Sequence, residues 1–327
     1  MTAAWTIPAA ARPRARLADY VGIMRLDHAT KHVFIVPGAV LAVLLRGETV
    51  RLSAWPFVAG ALMAILIASA NYVINEWLDR ASDAHHPTKS ARTAVRNEMK
   101  GWIVLGQWAL LVVAGLAVGA SASATMLVIA AAFALQGVVY NVPPFRSKDH
   151  PYLDVLSESV NNPLRLMIGW AMVDPTTLPP SSIIFAYWLG GAFLMGTKRL
   201  SEYREIVASH GREVLALYRP SFAGYTEISL TSSCLIYALF SAMALAIFFV
   251  KYRIEYIFVL PPVALLFGKY LALSMQPAST AQKPEKLFTE HGLMTMALLV
   301  VAAFVVFTVV NVPALGSLAS QHFIVLR

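Results

Sequence analysis

The sequence predicts an all-α fold, a polytopic membrane helical bundle with nine transmembrane helices. Of the 327 residues, 58% are hydrophobic and only 13% are charged, whereas soluble domains carry about 25% charged residues. The apolar residues form runs close to the roughly 20 residues that a helix needs to cross the bilayer core. We therefore expect a single integral membrane domain over 1–327, with an N-terminal cytoplasmic arm over about 1–20.

Nine apolar segments account for the predicted helices. Their approximate ranges are 32–49, 54–78, 101–120, 123–142, 153–172, 181–197, 226–250, 254–273 and 292–312. With a cytoplasmic N-terminus, 19 of the 26 Lys and Arg residues lie on the cytoplasmic side of the bilayer and 5 on the other side. Because cytoplasmic loops are enriched in Lys and Arg, we expect the polar loops after helices 2 and 6 to face the cytoplasm from the inner (cell) membrane. The same asymmetry explains the net charge of +8 without a nucleic-acid partner.

The end of helix 2 carries a ladder of oxygen-bearing side chains. Its members recur every four residues and are Asn71, Asn75, Asp79 and Asp83. This spacing places neighbours one helical turn apart, so Asp79 and Asp83 could share a cation, with Asn75 as a neutral oxygen ligand. Mg²⁺ fits such a site because it binds one or two carboxylates together with substrate phosphates. Three basic side chains that suit phosphate oxygens follow, namely His86, Lys89 and Arg92. The alternative is an ordinary solvated end of a membrane helix.

Helix 5 carries a second polar group. Its members lie on one helical face and are Asp154, Glu158, Asn161, Asn162 and Arg165. Charged residues inside a membrane segment usually face a bundle interior or a water-filled cavity. We therefore expect this face to bind substrate, with Glu158 in a catalytic role. The alternative is a structural ion pair between Glu158 and Arg165.

Two further groups flank the predicted cytoplasmic ends of helices. The segment after helix 4 offers Tyr140, Arg146 and Lys148, and the segment after helix 6 offers Lys198, Arg199 and Glu202. The first group could be no more than cytoplasmic anchors. The second has the spacing of a surface salt-bridge ladder, since residues three and four apart are neighbours on a helix. Gly-rich phosphate loops, G-x-S-x-G elbows and H-E-x-x-H zinc motifs are absent from the sequence.

The ladder and its basic loop resemble the UbiA superfamily of intramembrane prenyltransferases. The resemblance is carried by Asn75, Asp79 and Asp83, followed by HPTK (86–89) and Arg92, within a nine-helix topology. It implies that Mg²⁺ binds a prenyl diphosphate, whose prenyl group is transferred to an aromatic or other lipophilic acceptor. Family members usually carry a second Asp-rich motif after helix 6, where this chain has TKRLSEYRE.

Several segments are similar to the branch of this superfamily that makes polyprenyl-phosphate phosphoribose. They are D-x-x-x-D-x-x-HPTK-x-x-R, G-x-KR-x-x-E, Y-x-x-S-x-x-x-YT (218–226) and PEKLFTEHGLM. The departures are Glu76, Thr93 and the segment YNVPPFRSKD. This likeness implies a Mg²⁺-dependent transferase that moves 5-phosphoribosyl from phosphoribosyl pyrophosphate to a polyprenyl phosphate and releases diphosphate. A conventional prenyltransferase is the alternative, and a secondary transporter is a further one.

Overall fold

The structure is a computed structural model that describes residues 12–46, 53–84, 89–277, 279–282 and 290–316. These residues form helices and connecting segments, and their only β-pairing is an isolated bridge between Arg14 and Glu98. The α-helices in this part of the chain are α1 (Leu17–Gly22), α2 (Val36–Arg46), α3 (Ala54–Asp83), α4 (Thr93–Arg96), α5 (Gly101–Ala122), α6 (Ala124–Asn141), α7 (Leu153–Ser159), α8 (Asn161–Val173), α9 (Ser181–His210), α10 (Leu215–Tyr218), α11 (Glu227–Tyr252), α12 (Leu260–Ser274) and α13 (His291–Val309). The predicted all-α fold is confirmed.

Seven helical stretches within the described ranges are long and apolar enough to cross a membrane. They are Leu17–Arg46, Ala54–Asp83, Gly101–Ala122, Ala124–Asn141, Glu227–Tyr252, Ile254–Ser274 and His291–Val309. The first combines α1, a 3₁₀ segment over Leu26–Ile35 and α2. The chain is therefore a multi-pass membrane protein, while the count of nine spans stays a prediction. The two other predicted spans fall on α7–α8 and on α9.

The predicted fifth span is two helices rather than one. The chain passes from α7 to α8 at Val160, three residues before Pro163. Proline has no backbone N–H, so Pro163 cannot donate to the carbonyl of Ser159, and a helix tends to kink or break at that turn. The break lies between Glu158 and Asn161 and separates the two halves of the predicted polar face.

Helix α9 is longer than the sequence predicts. A span over 181–197 followed by a loop was expected, but the helix continues to His210 and places Lys198, Arg199 and Glu202 on helical backbone. No Gly or Pro interrupts residues 197–210. The helix ends at Gly211, whose φ of 80° lies in the left-handed region that favours glycine. The prediction of a loop after residue 197 is therefore wrong.

Close helix packing brings the polar helix ends together. A core cluster that includes Met63, Ile67 and Phe133 joins α3 to α6 and α8. Helices α2 and α8 cross at two glycines, because a Cβ on Gly38 would lie 2.0 Å from the Leu166 carbonyl oxygen, and a Cβ on Gly169 would lie 2.0 Å from that of Ile35. No side chain larger than hydrogen fits at either position.

Candidate active site

The ladder on α3 is continuous helix, so its members lie one above the other. Asn75 Nδ2 donates to Asn141 Oδ1 at 2.6 Å and to Asp79 Oδ2 at 3.3 Å. Asn71 turns away from this ladder, since its Nδ2 donates to the Phe133 carbonyl oxygen at 3.0 Å. Asn75 therefore orients Asp79, whereas Asn71 contacts α6.

The segment after α6 delivers two cations to Asp79. Arg146 Nη2 lies 2.8 Å from Asp79 Oδ1, and Lys148 Nζ lies 2.5 Å from the same oxygen. Lys148 Nζ also donates to Asn141 Oδ1 at 2.9 Å. Arg146 has a φ of 30°, a left-handed conformation that is uncommon outside glycine and that recurs at functional sites. Burial lowers the pKa of the Lys148 ammonium to about 8, although the Asp79 carboxylate opposes that shift.

The segment after α3 contacts Asp83, the second carboxylate of the ladder. Arg92 Nη1 lies 2.6 Å from Asp83 Oδ2. The segment is anchored by Glu76, a buried side chain whose Oε1 accepts from the Ala94 backbone N–H at 3.2 Å. We call Asn75, Asp79 and Asp83, with Arg92, Arg146 and Lys148, the α3 site. His86 lies outside the described residues.

Lys89 lies between the α3 site and α9. The charged residues that act on Lys89 include Asp83 of the α3 site and Glu202 of α9. Burial lowers the pKa of the Lys89 ammonium to about 8. The carboxylate of Glu202 opposes this shift, and the positive charge of Arg219 adds to it. Carboxylates of both α3 and α9 therefore act on the Lys89 charge.

A second polar region is built around Arg199 on α9, which is 3% exposed. Its guanidinium contacts three carboxylates through three different nitrogens. The distances are 3.1 Å from Nε to Asp154 Oδ2, 2.8 Å from Nη2 to Glu158 Oε2 and 3.2 Å from Nη1 to Glu202 Oε2. We call these four residues, with Tyr140, Lys198 and Arg219, the Arg199 cluster.

Further donors hold the carboxylates of this cluster. Asp154 has no exposed surface, and it accepts from Tyr225 Oη at 2.6 Å and from Ser221 Oγ at 3.1 Å. Tyr140 Oη donates to Glu158 Oε2 at 2.8 Å and accepts from Arg219 Nη2 at 2.9 Å. The cluster is therefore a closed network in which each carboxylate has a protein partner.

The residues present fit one divalent cation at the α3 site. In the part of the chain that the structure describes, no three His, Cys, Asp or Glu side chains converge as a metal site. Asp79 and Asp83 remain, and the ion pairs with Arg92, Arg146 and Lys148 use one oxygen of each carboxylate. Among the described residues, Asp79 Oδ2 accepts one hydrogen bond, the 3.3 Å bond from Asn75 Nδ2. Mg²⁺ commonly takes one or two carboxylates and completes its shell with water and substrate phosphate, so this donor set suits it.

The sequence matches the model of the UbiA prenyltransferase family over residues 34–289. This match covers most of the chain and both polar regions. The chain belongs to the UbiA prenyltransferase family. The resemblance seen in the ladder is confirmed at this level. Membership identifies the chain as a transferase and excludes the alternative of a secondary transporter. A comparison with curated protein sequences gave no match.

Solved structures share the UbiA fold. A UbiA homologue from Archaeoglobus fulgidus bound to DMAPP and Mg²⁺ aligns with a TM-score of 0.65 at 20% identity, covering 89% of this chain and 100% of that one. The same homologue bound to GPP and Mg²⁺ aligns equally well, with a TM-score of 0.65. A digeranylgeranylglyceryl phosphate synthase aligns with a TM-score of 0.61 at 14% identity, covering 90% of this chain and 98% of that one.

The structure of this UbiA-family chain corrects one expected contact. The alternative pairing of Glu158 with Arg165 is wrong, because Glu158 contacts Arg199 instead. Arg165 is buried and lies over the Phe133 ring at 5.4 Å from its centroid. Asn162 packs against α9, where a Cβ on Gly191 would lie 2.0 Å from its Nδ2. Arg165 and Asn162 therefore lie apart from the Arg199 cluster.

Four polar residues of this region were not singled out from the sequence as site residues. They are Asn141, Arg219, Ser221 and Tyr225. Asn141 is the last residue of the mostly apolar helix α6, a position that resembles a polar cap. The other three belong to the segment YRPSFAGYT (218–226). Its density of hydroxyl and basic side chains after the α9 motif was a usable signal for Arg219.

Proposed function

We propose that the protein is a Mg²⁺-dependent transferase acting at the cytoplasmic face of the inner membrane as a single membrane domain. We further propose that its donor is phosphoribosyl pyrophosphate and its acceptor is a polyprenyl phosphate, with diphosphate as the leaving group. Both proposals follow the reaction of the superfamily, in which a diphosphate donor transfers a group to a lipophilic acceptor.

The observation that carries the donor assignment is the composition of the Arg199 cluster. Each of its carboxylates already contacts Arg199, so a second metal ion there would compete with a buried guanidinium for them. The cluster instead offers cations. Lys198 has no carboxylate within 4.0 Å among the described residues, although Glu202 and Glu158 act on it at longer range.

Cations on the α9 side suit a donor with two anionic ends. Phosphoribosyl pyrophosphate carries a diphosphate on C1 and a separate phosphate on C5, whereas a prenyl diphosphate has one anionic end. We assign the diphosphate to the α3 site and the 5-phosphate to Lys198, with Lys89 between them. Charge-assisted hydrogen bonds from Lys and Arg to phosphate are among the stronger polar contacts in proteins.

The α3 site would stabilise the departing diphosphate. Asp79 and Asp83 would hold Mg²⁺, which would neutralise the phosphate oxygens and favour departure of the leaving group. Arg92, Arg146 and Lys148 already contact these carboxylates, so they are within a short side-chain movement of a bound diphosphate. Such fixed charges stabilise developing negative charge without reorganising solvent.

Glu158 belongs to the Arg199 cluster and has two partners, Tyr140 and Arg199. We assign it a positioning role for Arg199 and Tyr140 in place of the direct catalytic role that the sequence suggested. The acceptor phosphate needs no general base, because its oxygen is already anionic. Attack on C1 of the ribose by that oxygen forms the new C–O bond as the bond to diphosphate breaks.

A conventional prenyltransferase is the second candidate. It is favoured by the solved structures with the same fold, which hold DMAPP or GPP with Mg²⁺. The α3 site would bind an allylic diphosphate in the same way. This candidate leaves the cationic side chains of the Arg199 cluster without a substrate partner, which is why we rank it second.

Purified protein in lipid nanodiscs tests the proposal with phosphoribosyl pyrophosphate labelled in the ribose. With polyprenyl phosphate and Mg²⁺, we expect label to enter the lipid fraction, and EDTA should abolish that transfer. The Asp83→Asn variant is the matched negative control. If label stays in the aqueous fraction while a labelled prenyl diphosphate gives a prenylated lipid, the donor assignment is wrong and the second candidate replaces it.

A further inference from the structure

Deeper in the bundle than the α3 site, several buried polar atoms lack hydrogen-bond partners among the described residues. They include His32 Nδ1, Asn71 Oδ1, Asn161 Oδ1 and Arg165 Nε. Leaving such an atom buried and unpaired costs about 1–3 kcal/mol. Native proteins contain few buried polar atoms without a hydrogen-bond partner, so a concentration of them suggests a missing partner such as a ligand. We call Lys31, His32, Asn71, Tyr72 and Arg165 the Arg165 cleft.

Arg165 is the centre of this cleft. Arg165 is only 6% exposed, and its Nη1 donates to the Asn161 carbonyl oxygen at 3.1 Å. No carboxylate of the described residues lies within 4.0 Å of its guanidinium. A buried cation without an anionic partner is strongly unfavourable inside a membrane protein. Arg199 shows the contrast, since it contacts three carboxylates at similar burial.

The surroundings of Arg165 are cationic as well. Lys31 Nζ lies 5.6 Å from the centroid of the Tyr72 ring, and the charges of Arg165 and Lys31 both act on His32. The nearest acidic residue in this segment, Asp27, is directed to solvent with a 73% exposed side chain and lies 3.5 Å from His28. The cleft therefore has an excess of positive charge that the described residues do not neutralise.

The difference in composition separates this cleft from the α3 site. The α3 site has two carboxylates that suit a metal, whereas the Arg165 cleft has cations and amides without a carboxylate. An anion bound in the cleft would contact the cations directly, with no bridging metal ion. Asn71 and Asp79 are eight residues apart on α3, which places the cleft about 12 Å further along the helix axis.

We propose that the Arg165 cleft binds the phosphate group of the lipid-linked acceptor without Mg²⁺. A phosphate monoester carries a charge of about −1.5 to −2 at neutral pH, which matches the two fixed cations, Lys31 and Arg165. A carboxylate headgroup would leave one of them unneutralised. This inference rests on the proposed function for the role of the bound lipid, but its test requires neither donor nor turnover.

Binding of farnesyl phosphate to the full chain in detergent, with EDTA and no donor, tests the proposal. We expect the wild type to bind farnesyl phosphate and to bind neither farnesol nor farnesoic acid at comparable concentration. Arg165→Gln should weaken binding roughly 10–100-fold, the range given by losing one charge-assisted contact. Arg165→Lys should recover part of that loss. Lys251→Gln, an exposed cation remote from the cleft, is the matched control and should bind as the wild type does.

Two further variants keep the test decisive if Arg165→Gln does not fold. Lys31→Gln and His32→Gln alter partly exposed side chains, and each should weaken farnesyl phosphate binding several-fold. Asp79→Asn should bind the probe normally in EDTA, because it belongs to the donor side. Equal affinity in the wild type and the cleft variants, or binding that requires Mg²⁺, would overturn the proposal. Either result would leave the donor assay to decide the proposed function separately.

Discussion

The α3 site and the Arg199 cluster both combine carboxylates with cations, but they arrange them differently. At the α3 site, three cations from two loops approach two carboxylates. In the Arg199 cluster, three carboxylates converge on one guanidinium. A carboxylate that already neutralises a buried guanidinium is poorly placed to bind a metal ion, because the metal would leave that guanidinium with less negative charge. Acidic residues alone therefore do not indicate a metal site. Whether a carboxylate can bind a metal ion depends on the protein groups that it already contacts.

The largest expected effect separates the two regions by activity. Asp79→Asn and Asp83→Asn should each lower turnover by about 10³-fold or more, because a preorganised charge at a leaving group contributes that order of rate. Both variants should still fold, which a cooperative melting transition in detergent would show. Glu213→Gln, an exposed carboxylate in a surface segment, serves as the control. Near-normal turnover in either Asp variant would remove the α3 site from the mechanism.

The next largest effect is a difference in thermal stability between variants of the Arg199 cluster and variants of the α3 site. Asp154→Asn keeps the shape of the side chain but leaves Arg199 and Arg219 with less negative charge in a buried network. Breaking a buried ion pair by removing one partner costs about 3–5 kcal/mol. We therefore expect a larger fall in melting temperature for Asp154→Asn than for Asp83→Asn, because Arg92, the partner of Asp83, is more exposed to solvent than Arg199. Equal stability of the two variants would mean that the Arg199 cluster is not a structural network.

A smaller effect concerns the cation that the cluster offers to substrate. Lys198→Met should raise the KM for phosphoribosyl pyrophosphate roughly 10–100-fold, as expected for the loss of one charged hydrogen bond. The melting temperature should not fall, because no carboxylate lies within 4.0 Å of Lys198 among the described residues. Lys198→Arg keeps the charge and should retain much of the affinity. An unchanged KM in Lys198→Met would contradict the assignment of the 5-phosphate.

The smallest expected effect is a pH dependence at the boundary between the regions. The pKa of Lys89 is lowered to about 8, mainly by burial, so its ammonium is charged at pH 7 and loses its proton as the pH rises through 8. The donor KM should therefore rise a few-fold between pH 7 and 9. Lys89→Arg stays charged over this range and should flatten the profile. A wild-type profile identical to that of Lys89→Arg would show that Lys89 does not contact the donor.

The difference between the two regions also explains how far the sequence could predict them. The α3 ladder is local, because four-residue spacing on one helix places Asn75, Asp79 and Asp83 together without knowledge of the tertiary fold. The all-α fold follows similarly from long apolar segments. The Arg199 cluster is not local, since it joins α7, α9 and the segment over 218–226.

Particular residues show why the non-local part was missed. Glu158 and Arg165 are seven residues apart, a spacing that an unbroken helix would place on one face. The break at Val160 and the extra turns of α9 bring Arg199 to Glu158 instead. Arg219 contacts Asp154 from 65 positions further along the chain. Neither contact has a periodic signature. The sequence did identify Lys198, Arg199 and Glu202 as a group, although it placed them in a loop.

The mass of the lipid product is the most direct test of the central assignment. The wild-type protein would be given phosphoribosyl pyrophosphate and geranyl diphosphate together, at equal concentration, with polyprenyl phosphate and Mg²⁺. Our account predicts a product whose mass exceeds that of polyprenyl phosphate by one phosphoribosyl group. A product that gains a geranyl group, with no phosphoribosylated lipid, would contradict it.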